Sequence, residues 1–165
     1  MKKLIPFFLV LSLTCYSQEE TYNRIPFFVS VDSLRGALIE RGYTVTNIDN
    51  GLFCPSVYYG MSEFVKFLVN PMDRNVYKMV RVIPEQKNVN PFRYHQVYRD
   101  QIIKQTGAMP YEENLDPQNG EVYSKWVRGY SLITCSVNYK NQVVYTDERI
   151  FGSNMICLYD QKPTR

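Results

Sequence analysis

Acid–base chemistry at neutral pH in this chain would run through a single imidazole, His95. A covalent mechanism needs a nucleophile within hydrogen-bond reach of a base, so Cys54–His95 and Cys135–His95 are the pairs it would use. Nothing in their spacing brings either pair together. His95 also lies beside Tyr94 and Tyr98 in a stretch that reads as helix, which suits an exposed or interface histidine. Two carboxylates suffice for a hydrolase without histidine, and Glu112, Glu113 and Asp116 cluster in one segment. Plain solvation explains a short acidic loop just as well. Asp116 to Glu121 offers oxygen ligands but lacks the alternating ligands and terminal glutamate of a calcium loop. There is no Cys-x-x-Cys pair for zinc, no Gly-x-Ser-x-Gly elbow, and no phosphate loop or dinucleotide fingerprint. No catalytic residue, cofactor or metal ligand is assigned.

Tyrosine is the compositional oddity, with 14 in 165 residues. It buries area at low entropic cost and keeps a hydroxyl for hydrogen bonding, so it suits binding faces as well as strands. Tyr58-Tyr59 and the series Tyr123, Tyr130, Tyr139 and Tyr145 are the candidates for a ligand face. Ordinary packing in a β-rich protein is the competing account.

Hydrophobic residues make up 45% and charged residues 21% of the chain, which suits one folded domain. The first residues differ from the rest. Met1-Lys2-Lys3 is a positive start, Leu4 to Leu13 is almost wholly apolar, and polar residues take over at Ser17-Gln18. The apolar run is too short for a bilayer, which needs about 20 residues. The layout resembles the signal peptides of Gram-negative bacteria. That resemblance implies export, with cleavage between Ser17 and Gln18, where Cys15 and Ser17 supply the small residues a signal peptidase needs. The domain reading is therefore a signal peptide over 1–17 and one small domain over 18–165. Lipidation of Cys15 is the alternative, although Ser12-Leu13-Thr14 fits a lipoprotein box poorly; it would anchor the protein to a membrane.

Loss of Lys2 and Lys3 takes 19 basic residues down by two against 16 acidic ones, a net charge of +1. That is a weak footprint for nucleic acid, which calls for clustered Lys and Arg. Beyond the leader the cysteines are Cys54, Cys135 and Cys157, an odd number. Cys135–Cys157 is the candidate disulfide because both fall on strands of one C-terminal sheet, against the alternative that all three are small buried side chains.

The element pattern is α+β. Ser30 can cap a helix carrying Val31, Leu34, Ala37 and Leu38 at helical spacing, which Gly42 would stop. Tyr43–Thr46 reads as a strand, and Asp49-Asn50-Gly51 as a hairpin turn. Residues 52–60 are ambiguous because of Pro55. Phe64–Val69 and Val76–Ile83 form a hairpin, with Val76, Lys78, Val80 and Val82 expected on one side. Asn90-Pro91 opens a second helix with Tyr94, Tyr98 and Ile102 on one face, closed by Gly107. Ala108 to Gly120 reads as loop. Val122–Val137 reads as one long strand with a bulge at Gly129, and strands over 142–150 and 154–159 complete a meander. The fold class is thus an antiparallel sheet of meanders and hairpins with two α-helices on one face. Helix-then-strands occurs twice, so a degenerate duplication fits as well as a single sheet.

These features lead to an exported, periplasmic or secreted, non-catalytic binding module. Its expected partner is another protein, in the manner of an inhibitor or immunity protein, met on a tyrosine-rich sheet face. The alternatives are a small exported hydrolase using carboxylates or a Cys/His95 pair, and a lipid-anchored envelope component. Neither nucleic acid nor, unless Cys15 is lipidated, a membrane is an expected partner.

Overall fold

The computed structural model describes residues 21–22, 24–58 and 61–150. Cys15, the Ser17–Gln18 junction, Cys157 and the strand expected over 154–159 lie outside the described residues. The described chain opens with a small ribbon, β1 (Thr21–Tyr22) against β2 (Ile25–Pro26). Helix α1 (Val31–Glu40) follows. Its orphan N-terminal amides are met by Ser30, whose hydroxyl accepts from Ser33 N at 3.2 Å. It stops where expected: Gly42 takes φ +84°, its N–H donates to Ile39 O, and Tyr43 N donates to Leu38 O. Val31, Leu34 and Leu38 form the buried stripe.

The first meander comprises β3 (Thr46–Ile48), β4 (Gly51–Tyr58), β5 (Met61–Val69) and β6 (Val76–Ile83). The strand expected at Tyr43 begins only at Thr46; Tyr43 and Val45 pack against the core under α1 instead. Residues 51–58, ambiguous in sequence, are a full strand. Pro55 is tolerated because β3 pairs only with Gly51–Phe53, leaving Pro55 on the sheet's edge. In β6 a register shift opposite Leu68/Val69 puts Val76 against Val69 and Lys78 against Leu68. The irregularity turns Val76 to the covered side, where it is 1% exposed, and leaves Lys78, Val80 and Val82 on the other. The expectation that all four share a side is corrected accordingly.

Helix α2 (Pro91–Thr106) starts at Asn90, whose side chain accepts from Phe92 N, with Pro91 at the first helical position. Gly107, at φ +68°, ends it. The second meander is β7 (Glu112–Asn114), β8 (Val122–Arg128), β9 (Ser131–Val137) and β10 (Val143–Arg149), with a short 3₁₀ turn at Pro117–Asn119. The segment read as loop therefore holds a strand. The long run through Gly129 is two strands rather than one bulged strand. Arg128 pairs with Ser131 across a two-residue turn, and Gly129 at φ +55° supplies the left-handed geometry.

Strand order is β3-β4-β5-β6-β10-β9-β8-β7, all antiparallel. Each helix is thus followed by a four-strand meander, and the two meanders join through their last strands, β6 and β10. Register places Leu52, Cys54, Val65, Phe67 and Met79 on the same side as Val143, Cys135, Ile133, Trp126 and Val122. The first group is buried with α1 and the second with α2, so both helices cover one face. Tyr145 packs against both clusters.

Beneath the seam sits a buried ion pair. Arg81 Nη2 lies 2.9 Å from Glu63 Oε2, with side-chain exposures of 11% and 1%. The guanidinium also lies over the rings of Tyr98 and Tyr145, at 5.5 and 5.9 Å. One side chain of β6 therefore touches β5, β10 and α2. We expect Glu63→Leu to cost about 3 kcal/mol by stranding Arg81, and Glu63→Leu/Arg81→Met to recover most of that loss. Urea unfolding of the two variants decides it; a double variant no better than the single would show that the ion pair is not the coupling.

A second test concerns the β3–β4 turn. A Cβ on Gly51, at φ +148°, would stand 1.9 Å from Phe67 O. Gly51→Ala should destabilise by roughly 2–4 kcal/mol, whereas Gly36→Ala, with open space around it, should be neutral or stabilising.

Candidate functional site

The covered face holds the chemistry that the sequence singled out. His95 is 1% exposed, not on the surface as expected, because α2 turns it onto β8 and β9 together with Tyr98 and Ile102. Its Nε2 lies 3.3 Å from Ser124 Oγ, which lies 3.3 Å from Glu113 Oε2. Glu113 in turn receives two hydrogen bonds from Arg99, at 2.8 and 3.1 Å. Serine, histidine and glutamate thus meet, but the acid orients the serine rather than the imidazole. Ser124 is 0% exposed, so no substrate carbonyl can approach its hydroxyl. The arrangement satisfies buried polar groups.

The other candidates diverge from it. Glu112 points to the opposite side of β7, where Lys125 Nζ reaches its two oxygens at 2.9 and 3.0 Å. Asp116 accepts from Gln118 N and caps the 3₁₀ turn. Burial pushes the Cys54 thiol up to about 11 and the Cys135 thiol up to about 12, which suppresses the thiolate that nucleophilic attack requires. Cys54 and Cys135 are free thiols among the described residues. Among those residues no three of His, Cys, Asp and Glu gather at metal-binding distance.

The four tyrosines do not share a surface. Tyr123 lies on the uncovered face and donates to Glu112 Oε1 at 2.8 Å. Tyr145 is on the covered face, stacked on Tyr98 with ring centroids 6.0 Å apart, and burial pushes its phenol well up. Tyr130 and Tyr139 are exposed in the turns at opposite ends of β9. Enrichment in a residue type carries no register, so sequence could not tell these places apart.

What the sequence did not single out is the face opposite the helices. Its central strands carry the exposed Phe64 and Lys66 on β5 and the half-buried Val80 and Val82 on β6 and Val144 and Thr146 on β10. Phe53 on β4 stacks against Phe64, centroids 5.9 Å apart. Phe64 is 41% exposed and Val57 68%. Toward β8 the face turns polar, with Thr134, Ser136, Tyr123 and Lys125. No described helix covers this face. The signal for it was present in β5, where Phe64 and Leu68 alternate with the buried Val65 and Phe67 and so point outward as large apolar groups.

The sheet's edges are less open than its face. Both edge strands have only three residues. Pro55 lies on the bare part of β4, while β7 carries Glu112 and Glu113 and follows Pro110. Short strands, charges and proline discourage added strands. Two shallow clefts, of about 570 and 440 Å³, flank the start of α2. Glu121 is the one carboxylate of the first and Arg93 the one cation of the second, so neither pairs an acid with a base.

No family model, curated protein or solved structure matches this chain. Among the described residues no helix is long and apolar enough to cross a membrane.

The buried histidine has a measurable consequence. Burial lowers its affinity for a proton, as does the Arg99 charge, against opposing contributions from the Cys135 backbone and Glu113. The unfolded chain takes up a proton near 6.5 that the native protein refuses. Stability should therefore fall as pH drops below about 6.5 toward the lower native value. Glu112 and Glu113, held below the usual carboxylate value chiefly by Lys125 and Arg99, add a second loss at lower pH. Urea midpoints at pH 7.5, 6.5 and 5.5 should show the first decline, and His95→Gln should flatten it; an unchanged slope in that variant would refute the assignment.

Proposed function

We propose that the protein is a small exported binding module without catalytic activity, which docks on another protein through the uncovered sheet face. The observation that carries this reading is the face itself: large apolar side chains presented outward on a rigid sheet whose opposite side is filled by both helices. Eight strands at about 4.8 Å spacing, six of them roughly 23–30 Å long and the two edge strands about 10 Å, make a surface on the order of 800 Å². That is about the area one partner contributes to a standard-size interface. The guarded edges favour the face over strand addition, and the inaccessible Ser124 and His95 with the suppressed thiols argue against turnover. Export rests on the N-terminal pattern of a basic start, an apolar run and the small residues before Gln18. It places the module in the periplasm or outside the cell.

Photo-crosslinking in the native host tests this. A photoreactive phenylalanine analogue replaces Phe64 on the sheet face or Val97 on exposed helix. Position 64 should give one stoichiometric protein adduct and position 97 none, and N-terminal sequencing of the chain should begin at Gln18. Adducts from position 97 alone would move the docking surface to α2. A lipid-modified Cys15 would overturn the soluble form, and turnover lost on mutating one residue would overturn the whole reading.

A further inference from the structure

Three lysines lie on the uncovered face, and two have acidic cross-strand partners. Lys78 on β6 faces Glu148 on β10, 2.6 Å apart. Lys125 on β8 faces Glu112 on β7 at 2.9 Å. Lys66 is the exception. Register sets it between Phe53 on β4 and Val80 on β6, and its neighbours on the same side of β5 are Phe64 and Leu68. It makes no ion pair or hydrogen bond among the described residues. An unmatched ammonium thus stands in the middle of the most apolar part of the face.

A purely apolar partner covering that patch would strip water from the ammonium and return nothing, a loss that disfavours such a complex. A second copy of the chain, docked about a two-fold axis through the patch, would bring Lys66 toward its own counterpart. Like charges at a desolvated contact are strongly unfavourable. We infer that the uncovered face is built to receive a protein partner presenting a carboxylate flanked by apolar side chains, with Lys66 meeting the carboxylate. Phe53, Phe64 and Val80 then pack on the flanking groups and keep water from the pair. Charge complementarity sets the orientation of docking and apolar contact supplies the area. This deepens the docking proposal and rests on it.

Two tetrapeptide probes test the inference, acetyl-Leu-Glu-Leu-Phe-amide and its glutamine counterpart. Each is titrated into the isotope-labelled chain and followed by heteronuclear NMR. The glutamate probe should shift the resonances of Phe53, Phe64, Lys66 and Val80. It should bind about five-fold tighter than the glutamine probe, the upper end of what a solvent-exposed ion pair supplies, because a tetrapeptide shields the pair only in part. Lys66→Met should erase the preference while leaving residual binding at the same residues, and Lys66→Arg should keep it. Both variants lie at an exposed site, and well-dispersed spectra confirm that they fold. Equal binding of the two probes on this face would overturn the carboxylate inference and leave the docking proposal standing. Shifts confined to other surfaces would overturn both. Sedimentation of the chain alone should give a monomer; a dimer dissolved by Val80→Glu would assign the face to a second copy instead.

Discussion

The pairing of β6 with β10 is the contact on which the architecture depends. Six residue pairs, from Val143↔Ile83 to Glu148↔Lys78, are the ladder between the two meanders. Backbone hydrogen bonds alone would make a weak seam, because each contributes only about 1 kcal/mol net. Side chains on both faces reinforce it. On the covered side Arg81 gathers Glu63, Tyr98 and Tyr145, from β5, α2 and β10. On the other side Lys78 and Glu148 close across the same ladder. A buried ion pair is poor evidence of net stability, because apolar groups of the same shape do as well. Its geometric demand is more specific: slipping β10 by one residue would swing Tyr145 away from Arg81 to the opposite face. The Arg81–Tyr145 contact is therefore available only in the observed register of the seam.

Once that register is set, the two faces have different fates. α1 lies over β4, and α2 over β8, β9 and β10. Both lie on the side of Leu52, Phe67, Trp126 and Ile133, so one face is consumed by the core and no described helix layers the other. Antiparallel sheets commonly leave one side to water, and that side is then mostly polar. The β8–β9 half here follows the rule at Thr134, Ser136 and Lys125, with Val127 and Leu132 a half-buried apolar pair on the same side. The β4–β6 half does not. The asymmetry between halves that otherwise repeat the same element order is what motivates the docking proposal, because stability alone would not call for the exposed Phe64.

Local signals were legible in the sequence and long-range ones were not. Ser30, Gly42, Asn90-Pro91 and Gly107 mark both helices because caps act through backbone atoms two to four residues away. The β5–β6 hairpin was readable for the same reason. Strand β4 was obscured by Pro55, whose tolerance depends on the strand lying at the edge, a fact of sheet order. Gly129 read as a bulge because a two-residue reversal and a bulge use the same residue type. Strand β7 was hidden by its charges, which suit an edge. His95 was misjudged because its partners, Ser124 and Glu113, are distant in sequence and meet it only through the β7–β8 pairing. For the tyrosines the converse holds: composition suggests one surface, and register disperses them over two faces and two turns.

The apolar open face is hidden in the sequence by the expectation of strict alternation. In Met61-Ser62-Glu63-Phe64-Val65-Lys66-Phe67-Leu68 a reader looks for apolar and polar residues on opposite sides. The strand violates that pattern in both senses, and Leu68 joins Phe64 on the open side. Glu63 is a charge on the covered side, and Phe64 is an aromatic ring on the open side. The first is explained by Arg81, which pairs it within the core. The second has no such intramolecular explanation: the ring stacks on Phe53 yet stays 41% exposed. A sequence that places a charge inside and matches it, then places an aromatic ring outside beside an unmatched lysine, has satisfied its own fold on one side of β5. On the other side Phe64 stays partly exposed and Lys66 makes no ion pair among the described residues.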